Sequence, residues 1–126
     1  MSNFKPVDLP QGAGNGVIQV LRSGKLITIT NGAKDEQPLA KGTVVTGIFN
    51  GTTPNKYNPE RVDYNLRGDD GTLIILAETA SLKKQFDKVQ ENDLLQVTYN
   101  GMRQITRKNG SVTDMHDFMV ARASAE

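Results

Sequence analysis

The sequence predicts an all-β fold: a small five-stranded barrel with one helix, preceded by a β-hairpin. Three observations carry this. The 126 residues include 12 glycines and 5 prolines, which punctuate the chain heavily. The apolar runs between them are short and rich in Val, Ile and Thr, as strands between tight turns are. A single segment, Thr79–Val89, changes to a helical period. At this length one domain is expected, with core enough to fold without staples.

The elements follow in order. Residues 1–16 carry Pro6, Pro10, Gly12, Gly14 and Gly16 and read as an extended arm. Residues 17–124 form the single domain. Val17–Leu21 and Leu26–Thr30 flank Arg22-Ser23-Gly24-Lys25, a hairpin signal with Gly24 in the turn. Asn31-Gly32 breaks the second strand, and Gly32–Pro38 reads as a polar connector. The first barrel strand spans about Gly42–Asn50, with Gly47 marking a bulge or sharp bend. A polar loop, Gly51–Pro59, leads to the second strand at Arg61–Arg67. Asp69-Asp70-Gly71 turns into the third, Thr72–Ala77. Leu82, Phe86 and Val89 then recur at helical spacing, with Thr79 or Ser81 as the cap. Leu94–Asn100 is the fourth strand and Met115–Arg122 the fifth. Between them, Met102–Asp114 is a basic loop or the two ends of a hairpin. A helix between strands three and four is the order of the five-stranded OB-fold barrel. The rival, a small sandwich, needs no helix there.

Composition narrows the chemistry. No cysteine is present, which excludes disulfides, thiolate metal sites and a cysteine nucleophile. The one histidine, His116, excludes a multi-histidine metal cage. The net charge of +1 excludes a bulk polycation, so any nucleic-acid binding must come from local patches. No apolar run approaches the roughly 20 residues of a membrane span, and the N-terminus has no apolar signal region. A soluble, cytoplasmic protein is the expectation.

Enzyme readings are weak. His116 stands between Asp114 and Asp117, but strand neighbours point to opposite faces, so His116 and Asp117 cannot face each other. His116 shares its face with Phe118 and Val120 and reads as a rim residue. Asp69-Asp70-Gly71 lacks the further acids of a calcium loop. Gly12-x-Gly14-x-Gly16 precedes a strand and opens no helix, so it fails as a phosphate loop. No catalytic residue, metal or cofactor is assigned.

The basic residues say more. Arg103, Arg107 and Lys108 lie in a stretch without acids, and Lys56, Arg61 and Arg67 accompany Tyr57 in the first polar loop and its strand. In the predicted barrel these are the loops flanking the strand 2–3 face, where such folds bind oligonucleotides and oligosaccharides. Cations there would meet phosphates, and aromatics would stack bases. Tyr57 is the leading stacker, because its loop offers it no apolar partner. Tyr64 and Tyr99 rank second. Alternation puts Val62, Tyr64 and Leu66 on a core face, while Leu95, Val97 and Tyr99 share a face on which Tyr99, near the strand end, is core or rim, unless a bulge reverses the assignment. Leu82, Phe86 and Phe118 read as core.

With these pieces placed, the chain resembles the phage single-stranded DNA-binding proteins of OB fold over about residues 40–121. The resemblance rests on Gly47-Ile48-Phe49-Asn50-Gly51 and on Tyr64 to Gly71. It continues in Asn92-Asp93-Leu94-Leu95-Gln96-Val97-Thr98-Tyr99-Asn100-Gly101 and in the stretch from Lys108-Asn109-Gly110 to His116-Asp117-Phe118-Met119-Val120. The segment Phe4–Gly12 is similar to the start of some phage single-strand binders. Asn92 stands where the family usually has Gly, and Met102 where it has Lys. The resemblance implies sequence-tolerant binding of single-stranded DNA, with RNA as a related ligand, in replication or recombination within a host cytoplasm. It implies no reaction and no cofactor. The family's acidic tail has no counterpart in Val120–Glu126, so tail-mediated recruitment is not expected. The alternative is an OB-fold adaptor that uses the same loops for a protein partner. An oligosaccharide binder would want exposed Trp, and the chain has none.

The N-terminal hairpin is too apolar for a free arm. Val17, Ile18, Val20, Leu21, Leu26, Ile27 and Ile29 need cover, and a lone hairpin is marginal in water. It either packs on the barrel or pairs with a second copy, which makes it a candidate homodimer element.

Overall fold

The structure, a computed structural model, describes residues 16–123. The predicted arm, apart from Gly16, lies outside the described residues. Eight strands and one helix follow in sequence: β1 (Val17–Arg22), β2 (Lys25–Thr30), β3 (Ala33–Pro38), β4 (Val44–Pro54), β5 (Val62–Arg67), β6 (Leu73–Ala77), α1 (Ala80–Phe86), β7 (Leu94–Thr106) and β8 (Val112–Arg122). All eight strands join one curled half-barrel sheet, in the order β3-β2-β1-β6-β5-β4-β7-β8.

The all-β prediction holds, and the five barrel strands and helix occur in the predicted order as β4, β5, β6, α1, β7 and β8. The ladders, however, do not outline a closed five-stranded barrel. The edge of β6 is taken by β1, which runs parallel to it from Ile18↔Leu73 to Leu21↔Leu76. β1 is apolar on both faces: Leu21 is buried in the core, and Ile18 and Val20 are half-buried on the opposite face. Its other edge pairs with β2, whose far edge pairs with β3. Both edges of the hairpin are therefore consumed inside the chain.

Three sequence assignments are corrected. Gly32–Pro38 is no connector, since Ala33–Pro38 forms β3, paired with β2 through six residues. Every β3 residue is exposed, so no hydrophobic alternation could signal it. Its Lys34, Asp35, Glu36 and Pro38 are what a protected edge strand carries. Asn31 and Gly32, at φ 51° and 86°, make the two-residue turn with a hairpin's positive dihedrals. Second, β4 runs on to Pro54, because Gly51 sits in a bulge between Phe49 and Thr52 and does not open a loop. Third, β7 runs on to Thr106 through an equivalent bulge between Tyr99 and Met102. At both sites an aromatic-Asn-Gly triplet places the aromatic in the core and the glycine at positive φ, 95° for Gly51 and 87° for Gly101. The basic segment is thus the two ends of a hairpin: Met102–Thr106 and Val112–His116 pair into a projecting ribbon.

The core lies on the inner face. Leu66, Leu76, Leu82, Leu95 and Val97 are fully buried, and Tyr64 stacks on Phe86 at 4.1 Å between ring centroids. The helix is shorter than the periodicity suggested. Thr79 caps it, accepting a hydrogen bond from the Leu82 N–H at 3.1 Å. Ser81 and Gln85 face β8 instead. The Ser81 hydroxyl bonds the N–H and C=O of Phe118, while Gln85 donates to the Phe118 carbonyl and accepts from the Val120 N–H. One helix thus satisfies the outer edge of β8.

Candidate nucleic-acid interface

The site grows from the outer face of β5 and β6. Alternation sends Tyr64 and Leu66 inward, so Asp63, Asn65 and Arg67 point outward from β5. The register sets Ala77 opposite Asp63 and Ile75 opposite Asn65. β1 extends this face with Ile18, Val20 and Arg22, and β2 with Ile27 and Ile29. Together they floor a cleft of about 360 Å³ with aliphatic side chains. Ile27 is 3 % exposed although it stands apart from the inner core, so the cleft has real depth.

The rim is polar, with three cations and one acid. Arg22, Lys34, Lys56, Tyr57, Asn55 and Asp63 surround the opening. Asn55 shapes the loop that carries two of them. Its side-chain oxygen accepts from the N–H groups of Tyr57 and Asn58, both at 2.9 Å, and its amide donates to Asp63 Oδ1 at 2.8 Å. The loop's ends are tied by Asn55 N–H to the Arg61 carbonyl. Tyr57 is held out at 67 % exposure, with the Arg22 guanidinium 4.6 Å from its ring centroid. A hydrogen bond from Arg22, with the charges of Arg22 and Lys56, holds the Tyr57 phenol below its ordinary pKa. That depression reports a positive potential at the rim. Asp63 behaves in the opposite sense: burial raises its carboxyl, against the Asn55 hydrogen bond and the Arg22 charge.

The sequence-predicted residues divide into five groups. Lys56 and Tyr57 stand at the cleft. Arg61 is exposed behind the loop and donates to the Glu78 carbonyl at 3.3 Å. Arg67 is exposed at the far end of β5, about 13 Å along the strand from Asp63 at roughly 3.3 Å per residue. Arg103, Arg107 and Lys108 belong to the ribbon. Arg103 pairs with Asp117 at 3.5 Å, and Arg107 and Lys108 form the exposed tip. Tyr64 and Tyr99 are withdrawn from stacking. They are 5 % and 4 % exposed, and the Tyr99 hydroxyl is engaged with His116 Nδ1 at 2.7 Å.

The β1–β2 turn touches both basic segments. On one side of it Arg22 covers Tyr57. On the other, Gly24 presses on His116 at the base of the ribbon, where a Cβ would lie 2.6 Å from the imidazole Cε1. His116 is half-buried there, its Nδ1 bonded to the Tyr99 hydroxyl. Sequence reasoning missed Arg22, Lys34, Asn55 and Asp63. The signal for Arg22 was present, since Ile18, Val20 and Arg22 alternate on the face opposite Leu21.

No group of three or more His, Asp or Glu among the described residues could hold a metal ion. No helix among them is long and apolar enough to cross a membrane. Compared with protein-family models, curated proteins and solved structures, the chain matches none.

Proposed function

We propose that the protein binds single-stranded DNA across the outer face of β5 and β6, in the manner of an OB-type barrel extended by the N-terminal three strands. The observation that carries this reading is the exposed Tyr57 ringed by Arg22, Lys34 and Lys56 at the mouth of the cleft. A stacking surface beside converging cations is what a flexible, charged strand of bases needs, whatever its sequence. Arg67 marks a path along β5, and Arg107 and Lys108 offer a second phosphate contact from the ribbon. A role in phage replication or recombination follows from the sequence resemblance.

Fluorescence anisotropy with labelled oligo-dT of about 30 nucleotides, roughly twice the upper site size of one such fold, tests it. Salt-sensitive binding that exceeds binding to the matching duplex is expected. Tyr57→Ala should weaken it by about 5- to 150-fold, equivalent to roughly 1–3 kcal/mol for one stacked base. Arg107→Ala should reduce the log-log salt slope by about 0.7. No binding at low salt would reject the reading.

A second reading has its own observation. Val44, Ile48, Leu94 and Met119 are 36–53 % exposed on the outer face of β4, β7 and β8, a patch suited to a protein partner. An adaptor would keep its partner after Tyr57→Ala and lose it after Leu94→Asp.

A further inference from the structure

The cleft contains one group that a purely phosphate-binding surface would not want. Asp63 is an acid among Arg22, Lys34 and Lys56, half-buried beside an aliphatic floor. Its Oδ1 is committed to the Asn55 amide at 2.8 Å. Its Oδ2 has no hydrogen-bond partner among the described residues. It forms no ion pair with Arg22, which is turned over the Tyr57 ring instead. A carboxylate oxygen in this position is a directional acceptor and nothing else.

The surroundings define what would donate to it. Phosphate is repelled by it and served by the neighbouring cations. A base entering between Tyr57 and the floor of Ile75 and Ala77 would bring its polar edge toward Asp63, because Ala77 and Asp63 are directly paired across the strands. Exocyclic amino groups donate, as cytosine N4 does to an acidic side chain, whereas the 4-oxo group of uracil and thymine only accepts. The cleft volume of about 360 Å³ lies at the small end of the roughly 300–1,000 Å³ range of ligand pockets, so one base is the natural occupant.

We propose that Asp63 reads the amino edge of one base in the bound strand, giving preference for amino-bearing bases at that position. This rests on the single-strand reading above. Asn55 is the positioning residue: it fixes Asp63 Oδ1 and holds the Tyr57 loop with the same side chain. The remaining contacts stay indifferent to sequence, so the preference is a modulation of general binding.

The test compares oligo-dC with oligo-dU, each about 15 nucleotides long so that one molecule fills one site. The two differ at the 4-position and in the proton on N3, with similar stacking area. Wild-type protein should bind oligo-dC about tenfold more tightly, an amount set by one hydrogen bond to a charged acceptor. Asp63→Asn keeps an oxygen for Asn55 and turns an amide donor toward the cleft. The preference should then fall to unity or invert toward oligo-dU. Equal wild-type affinities within twofold would overturn the proposal while leaving single-strand binding intact. The same holds if Asp63→Asn leaves the ratio unchanged. Binding to neither oligonucleotide would overturn the underlying reading as well. The wild-type ratio needs no variant, so a poorly folded Asp63→Asn protein would not block the decision.

Discussion

Gln85 ties the helix to the last strand, and removing it should cost more than any exposed residue of α1. Its amide nitrogen donates to the Phe118 carbonyl at 2.7 Å, and its oxygen accepts from the Val120 N–H at 2.7 Å. In Gln85→Ala, Phe118 keeps its bonds to the Ser81 hydroxyl at 3.0 and 3.1 Å, so its loss is partial. Val120 has no such substitute, and its half-buried N–H is left unpaired. An orphaned donor costs about 1–3 kcal/mol, and the better helix propensity of Ala returns a few tenths. The expected net is roughly 2 kcal/mol. With an m-value of about 1.5 kcal/mol/M, the urea midpoint should fall by about 1.3 M. Gln85→Glu preserves the acceptor but sets a carboxylate against the Phe118 carbonyl, so it should be no milder. Lys84→Ala, exposed one residue away, should stay within about 0.5 kcal/mol. A Gln85→Ala midpoint indistinguishable from that of Lys84→Ala would refute the claim that this side chain satisfies the β8 edge.

Other outcomes follow from single positions. Gly47→Ala should destabilise by about 1–3 kcal/mol in urea unfolding, because the added Cβ would meet the Arg67 carbonyl oxygen at 2.9 Å and backbone cannot move aside cheaply. Asn92 sits at φ 76°, so Asn92→Gly should be nearly neutral while Asn92→Ala loses about 1 kcal/mol by the same measurement. In a spectrophotometric pH titration Tyr57 should ionise first, below the ordinary value of about 10, and return toward it in Arg22→Ala. Burial, with the Glu78 charge adding, pushes the Tyr64 phenol up to about 12. Its neutral form therefore stabilises the fold fully below the unfolded pKa of about 10, and this support should vanish as pH rises through the folded value. A flat stability profile between these limits would contradict the burial of Tyr64.

Much of the site was legible in pieces. Tyr57 was legible as the exposed aromatic, since nothing apolar flanks it in Asn55–Asn58. Tyr64 and Tyr99 alternate with polar neighbours; that alternation favoured the core for Tyr64 and left Tyr99 at core or rim, and both are buried. The face that Arg22 takes was legible in the alternation of β1, but its place beside Tyr57 was not, because that comes from a parallel pairing between β1 and β6, some 55 residues apart in the chain. Asp63 and Asn55 looked like ordinary loop and strand polarity until they met across a cleft whose floor belongs to other strands.

The dipeptide Asn-Gly shows where the division falls. It occurs at Asn31-Gly32, Asn50-Gly51, Asn100-Gly101 and Asn109-Gly110 among the described residues. Composition and local chemistry determine that each will place glycine at positive φ, and all four do. They do not determine what the chain does next. At 31–32 and 109–110 it reverses direction. At 50–51 and 100–101 it bulges and continues, because the preceding Phe49 and Tyr99 are anchored in the core and the neighbouring strand still offers backbone partners. Local pattern alone specifies an all-β chain, the order of its last five strands and helix, its inner face and its exposed aromatic. The tertiary structure decided that the N-terminal strands complete the sheet, that β4 and β7 outrun their bulges, and that Arg22, Tyr57 and Asp63 share one cleft. Those outcomes depend on pairings between distant segments, and no local propensity encodes them.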